Sequence, residues 1–375
     1  MNRYLRTAAL LLVVVLLASC GAATTAAPAG HSGHPARSAA PAAAPLRDGE
    51  RFVNLTMDEP YRPTGPNGGT DDYRCFLIDP RLASRVSLTG AQFQPQNTEV
   101  VHHAIFFRLG PEQAANARKL DDKTPGQGWT CFGDEGVGES SWVTHWAPGT
   151  NETLLDARYG YDLPPGSRLV MQVHYNLLGV KGEPGTDKSS IRLRVTDRVL
   201  RPLETALFAA PVELPCTPQE SGPLCDRAAA IKDVGRRFGA EIQQDVGETE
   251  QFCGRKKPGP TQYCDQRMEG PAVIHGLAGH MHLLGRSIKV ELNPGKPGAR
   301  TLLDVPEYNF DDQALRVLPA PVDVKKGDVV RVTCTHDAKL RSMLPQLREL
   351  PPRYVVWGAG TSDEMCLGIA IVSLT

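Results

Sequence analysis

EVVHHAIFF, Glu99 to Phe107, reads as a β-strand: β-branched and aromatic residues with neither Gly nor Pro. Neighbouring side chains on a strand point to opposite faces, so His102 and His103 can serve one site only if the strand is locally distorted. Runs of the same kind recur outward from it. RFVNLTM (51–57), YRCFLID (73–79), RLVMQVHYN (168–176) and IRLRVT (191–196) precede residue 200. PAVIHGLA (271–278), RSIKVEL (286–292), DVVRVTCTH (328–336) and EMCLGIAIVSL (364–374) follow it. Turn residues separate the runs, and the totals of 36 Gly and 31 Pro suit many short strands. One short helix is predicted at PEQAANARK (111–119), with Pro111 in its first turn. The pattern predicts an all-β fold of antiparallel sandwiches. A weakened strand pattern at 197–210 divides the mature chain into an N-terminal half, 47–199, and a C-terminal half, 200–375.

Residues 1–20 read as a processing signal: Arg3 and Arg6, then an apolar run from Ala8 to Leu17 too short to span a membrane comfortably. Leu17-Ala18-Ser19-Cys20 resembles a bacterial lipobox, with Cys20 as the lipidated residue; a plain signal peptide cut nearby is the alternative. Lipidation predicts an extracytoplasmic protein held to the cell membrane by its anchor alone. Residues 21–46, rich in Ala, Pro, Ser and Gly, read as a flexible tether, in which His31 and His34 are incidental. The 41 basic and 42 acidic residues are intermixed, and no basic stripe points to nucleic acid. Of nine cysteines, eight remain after Cys20: Cys75, Cys131, Cys216, Cys225, Cys253, Cys264, Cys334 and Cys366. An even number in an exported chain predicts disulfides, and the lack of CxxC argues against a zinc knuckle or a thioredoxin-type motif.

Three histidine clusters stand out: His102-His103, His174 in MQVHYN, and His280/His282 in GHMHLLG. Two residues apart on a strand, His280 and His282 would share a face and could meet one metal. A zinc hydrolase of the HxHxDH kind is disfavoured, because Leu284 and Gly285 stand where Asp and His are needed. In TSDEMC (361–366), Asp363 and Glu364 read either as ligands or as a solvated turn. Met365 alone would be a core residue. Beside an HxH pair, its soft thioether points to copper, particularly Cu(I). His145, His275 and His336 read as structural or surface residues. His275 faces away from His280 if its strand is regular.

VVHHAIFF, QVHYN, GHMH and TSDEMC, in this order, resemble the copper type II ascorbate-dependent monooxygenases, the family of peptidylglycine α-hydroxylating and dopamine β-monooxygenases. The resemblance runs from about Arg51 to Thr375. It implies two jelly-roll-like β-sandwich domains facing each other across a solvent-filled cleft, and two copper ions. His102, His103 and His174 would hold one; His280, His282 and Met365 would hold the other, where O2 binds. It implies that one of the adjacent histidines ligates through Nδ1 and the other through Nε2. Gln172, on the His174 face, would position substrate or water. The contexts of the cysteines imply the pairs Cys75–Cys131 and Cys334–Cys366. Cys216–Cys225 and Cys253–Cys264 are plausible local pairs in a region that departs from the mammalian members.

The chemistry implied is hydroxylation of a substrate C–H bond with O2 and a one-electron donor such as ascorbate. Peptide-amidating members hold a carboxylate with an Arg two residues before HxH and with an Asn and a Tyr after DEMC. Here those positions are Ala278, Leu367 and Ile369, an apolar wall in which a carboxylate would lack a partner. The expected substrate is therefore small and apolar or aromatic, and not a peptidylglycine. Two other readings stand beside this one: a copper-binding or copper-delivery lipoprotein without turnover, and a purely structural or adhesive β-sandwich.

Overall fold

Alternation along the strands places one row of side chains in each core, and the computed structural model shows which row goes where. It describes residues 42–138, 140–254 and 257–374. The expected signal segment, Cys20, His31 and His34 lie outside these residues. The tether's last residues are already held: Ala44 N–H donates to Glu152, and the buried Arg194 guanidinium donates to the carbonyls of Ala44 and Pro45.

Residues 50–202 build two sheets. The first runs Glu50–Thr56, Ser190–Thr196, Val86–Gln94, Tyr159–Leu163, Arg201–Pro202, with Thr153–Leu154 paired to Val86–Gln94. The second runs Trp129–Thr130, Asp71–Ile78, Arg168–Asn176, Val101–Leu109, Ser141–Trp146, all antiparallel. Phe76, Phe106, Met171 and Val173 of the second sheet meet Leu88, Phe93, Ile191 and Leu193 of the first in one core. Burial of each such side chain contributes about 1.5–3 kcal/mol. The opposite face of the second sheet is covered too. Cys75, Phe107 and Val170 pack with Ala114 and Ala117 of helix Pro111–Lys123, and beyond them Ile105, Gln172 and His103 turn toward the C-terminal half. This double cover explains why RLVMQVHYN is apolar on both faces.

Residues 204–374 repeat the scheme. Glu204–Ala209, Leu367–Leu374, Ala272–His280 and Arg316–Val324 form one sheet; Thr261–Arg267, Val329–His336, Gly285–Leu292 and Arg300–Val305 form the other. Ile274, Leu277, Ile288, Val290, Val330, Val332, Ala370 and Val372 fill the space between. The outer face of Leu367–Leu374 looks to the N-terminal half, where Ile371 joins the first core. Pro319 and Pro321 lie on an edge strand, where a missing N–H costs least.

Four disulfides link Cys75–Cys131, Cys216–Cys225, Cys253–Cys264 and Cys334–Cys366, as the contexts and local spacing suggested. The two helices between Cys216 and Cys264 were not foreseen. Helix Arg227–Phe238 starts at Asp226, whose side chain accepts from Ala229 N–H, and helix Ala240–Cys253 follows across Gly239. The Asp cap before RAAAIK was the available signal.

Candidate functional site

The opening puzzle is resolved by a β-bulge. On the Arg168–Asn176 strand, Val101 pairs with Tyr175 and His103 with His174, so His102 is the extra residue of a register shift. A bulge re-aims side chains, and both imidazoles turn toward His174. Ring centroids lie 5.4 Å (His102–His103), 5.3 Å (His102–His174) and 4.8 Å (His103–His174) apart. One ring nitrogen from each falls within 4.8 Å of the others. Nδ1 of buried His174 has no hydrogen-bond partner, and buried His102 meets only the backbone of Phe310. Buried polar atoms left so are costly, and a metal would satisfy them. His174 Nε2 is 2.9 Å from Asp71 Oδ1. With a carboxylate as acceptor, Nε2 carries the proton and Nδ1 is the free lone pair.

The second group forms at a strand end. His280 is the last residue of its strand, while His282 lies beyond it, so their proximity does not come from a shared strand face. Their ring centroids are 5.1 Å apart and nearly perpendicular. His280 Nδ1 donates to Gln313 Oε1 (2.6 Å), itself held by its amide on Phe310 O (2.8 Å). His282 Nδ1 donates to Asp363 O at 3.2 Å, leaving a buried Nε2 without a partner. Both rings therefore offer Nε2. Half-buried Met365 borders the same cavity as His280.

Asp363 and Glu364 are neither a solvated turn nor placed as ligands. Both are buried. Glu364 accepts from the backbone N–H of His282 (2.9 Å) and Leu284 (2.6 Å), which pins the turn that carries His282. Asp363 takes a bidentate pair from Arg237 at 2.8 and 2.6 Å. Nothing local in TSDEMC announces these partners, since Arg237 comes from the unforeseen helix.

At the histidines the expected gap is closed: His103 and His280 meet edge to face with centroids 5.6 Å apart, and His102 stacks on Phe310 at 4.0 Å. Beside them opens a cavity of about 400 Å³ shared by both halves. Ala278 and Ile369 are register partners, as are His280 and Leu367, and all four line it. Gln172 lines it as well but is not solvent-facing; its Nε2 donates to the carbonyls of Cys131 (3.3 Å) and Asp134 (3.2 Å). His145 also borders the cavity, against Trp142. A second bulge in the Ala272–His280 strand leaves both Ile274 and Leu277 in the core. It turns His275 against Tyr159, far along the strand from His280, correcting the regular-strand expectation. His336 is buried, with Nε2 3.4 Å from Glu364.

Burial holds His102 and His103 well below the usual histidine range, and the neighbouring imidazoles add to it. Burial lowers His174 despite Asp71, and takes His280 to about 3 and His145 to about 4. All five are neutral at pH 7, the ligating form of imidazole. The sign for stability follows. The unfolded chain takes up protons near pH 6.5 and the folded chain only below it, so stability is full above that pH and lost as pH falls, by about 1.4 kcal/mol per pH unit for each histidine. Asp245, raised to about 6 by burial and neighbouring acids, opposes this, as do Asp72 and Glu135, whose carboxyls burial also raises. Copper-free protein is expected to melt at steadily lower temperature from pH 6.5 to pH 5, and added copper to flatten the profile. Thermal melts with and without copper check this; a flat copper-free profile would refute it.

Residues 255–369 match the family model of the copper type II ascorbate-dependent monooxygenase, C-terminal domain. That segment holds His280, His282 and Met365, and the match supports a copper- and ascorbate-dependent monooxygenase. Among solved structures, the chain is similar to the major capsid protein P2 of bacteriophage PM2, with 7% identity, TM-score 0.31, and 87% and 98% of the two chains covered. It is also similar to the coconut allergen cocosin, with 10% identity, TM-score 0.15, and 86% and 85% covered. At these TM-scores neither likeness carries an argument about this chain.

Proposed function

We propose that this protein is a two-copper monooxygenase that hydroxylates a C–H bond of a small apolar substrate. The observation that carries the reading is that His102, His103 and His174 bring one ring nitrogen each within 4.8 Å of one another, and that Nδ1 of buried His174 and Nε2 of buried His282 lack a hydrogen-bond partner, beside one largely apolar cavity. His102, His103 and His174 would hold one copper and His280, His282 and Met365 the other. Copper there supplies one-electron storage and O2 activation, with ascorbate or another one-electron donor as reductant. The balance is R–H + O2 + 2 e⁻ + 2 H⁺ giving R–OH + H2O.

The chain's own residues do the rest. Burial keeps His102, His103, His174 and His280 unprotonated, and Asp71, Gln313 and the Asp363 carbonyl choose which nitrogen His174, His280 and His282 offer. The thioether of Met365 favours the reduced metal. Touching rings of His103 and His280 place the two groups side by side, a short route for an electron. Gln172, tied to the 131–134 loop, presents a fixed amide face to the cavity and positions what binds there.

The substrate reading rests on the wall. Ala278, Leu367, Ile369, Ile105, Trp142 and Trp146 are apolar, and Asp134, Glu241, Asp245 and Glu248 also line the cavity. No Lys or Arg is found among the described lining residues. A substrate carboxylate would be desolvated next to like charge. The four disulfides and the lipobox-like LASC support an extracytoplasmic, lipid-anchored enzyme.

The test is copper stoichiometry together with ascorbate-driven O2 uptake across a substrate panel. About two coppers per chain are expected, with uptake stimulated by a neutral aromatic hydrocarbon-like compound and not by a glycine-extended peptide. Efficient turnover of the peptide would overturn the substrate assignment. Copper uptake with no substrate-coupled O2 consumption would favour copper handling instead.

A further inference from the structure

We propose that Asp71 is a positioning residue that couples the three-histidine group to the loop carrying Met365. The proposal rests on the copper reading above, but its geometry belongs to the protein alone. Asp71 is 1% exposed. Its Oδ1 faces three donors at once: His174 Nε2 at 2.9 Å, Thr361 N–H at 2.9 Å and Thr361 Oγ1 at 2.5 Å. Thr361 lies 290 residues along the chain, four before Met365. Tyr73, two residues on and therefore on the same strand face, makes a parallel link. Its ring stacks on His174 at 4.1 Å and its hydroxyl donates to Ala359 O at 2.8 Å.

Residues 359–365 thus form a strap with two ends. Ala359 and Thr361 are held by the strand that backs His174. Two to four residues after Thr361 the same strap holds the His282 ring through Asp363 O and the His282 backbone through Glu364, and presents Met365. One carboxylate oxygen therefore decides which nitrogen His174 offers and where the strap begins. A carboxylate behind a ligating imidazole fixes its tautomer and raises its basicity, and loss of such a partner costs about 10- to 100-fold in metal affinity. The added consequence here is that a change at Asp71 or Thr361 is felt at the other group, across the boundary between the two halves.

Two variants separate the links. Asp71→Asn keeps the shape and removes the charge. Thr361→Val removes only the hydroxyl donor and leaves the His174–Asp71 contact. Imidazole ¹⁵N NMR of the copper-free protein is expected to show His174 protonated on Nε2 in the wild type, and a mixed or changed tautomer in Asp71→Asn. With Cu(I) loaded against a competing chelator, Asp71→Asn is expected to weaken copper at the three-histidine group about 10- to 100-fold. Thr361→Val is expected to shift the infrared stretch of carbon monoxide bound at the His280/His282/Met365 group. Wild-type His174 protonated on Nδ1 would overturn the proposal. So would a folded Thr361→Val protein with wild-type copper affinities and an unmoved carbon monoxide stretch. A wild type that binds no copper yet shows the Nε2–H tautomer would instead sink the monooxygenase reading and leave the positioning of His174 intact.

Discussion

Met365→Ala is expected to retain copper at His102, His103 and His174 and to lose substrate-coupled O2 uptake. The thioether borders the cavity that His280 also lines and in which substrate would sit. Without it, two imidazoles remain, and the preference for Cu(I) falls. Truncating a half-buried Met also removes apolar contact, so Met365→Leu is the control: it restores volume without sulfur and is expected to remain as inactive as the Ala variant. His174→Ala is expected to lose coupled uptake for the other reason, through loss of the electron-storing copper with the His280/His282/Met365 group still loaded. Copper stoichiometry and O2 uptake measured together distinguish the two. Equal, wild-type-like activity in Met365→Ala and His174→Ala would end the proposal.

Arg237→Ala is expected to destabilise the protein by about 3 kcal/mol, toward the lower end of what breaking a buried ion pair costs. Arg237 is 6% exposed and donates to Asp233 at 2.8 Å as well as to both oxygens of Asp363. Arg353 reaches the same two carboxylates at 3.2 and 3.4 Å and moderates the loss. Denaturant unfolding checks the magnitude. Because the Asp363 carbonyl holds His282 Nδ1, the same variant is expected to weaken copper at that group more than at the three-histidine group. Arg237→Lys is expected to recover only part of the stability, since a point charge cannot replace the bidentate fork. An unfolding midpoint unchanged in Arg237→Ala would show that the pair contributes nothing.

These two residues mark the limits of reading the chain by itself. Met365 was visible, because DEMC beside an HxH motif changes what a methionine means. Arg237 was not, because RAAAIKDVGRRF looks like any surface helix until its last turn is seen against Asp363. The same contrast runs through the fold. RLVMQVHYN and its neighbours announced strands because period and composition are local properties. The helix pair at 227–253 lay in a cysteine-dense stretch whose propensities were mixed. Nothing in the sequence marked Asp71, yet its carboxylate backs His174.

The order of the chain alone determined that the protein is built of strands; its resemblance to a known family pointed to five histidines and one methionine and to the pairs Cys75–Cys131 and Cys334–Cys366. Tertiary structure decided what each of those side chains offers. The bulge that brings His102 and His103 to one side is a property of two strands in register, not of either alone. The free nitrogen of His174, His280 and His282 depends on the group behind each ring, and Asp71, Gln313 and Asp363 reach their partners across 103, 33 and 81 residues. Side-chain alternation is fixed by bonds between neighbours, whereas hydrogen-bond partners in a buried site are chosen only when distant segments exclude water together.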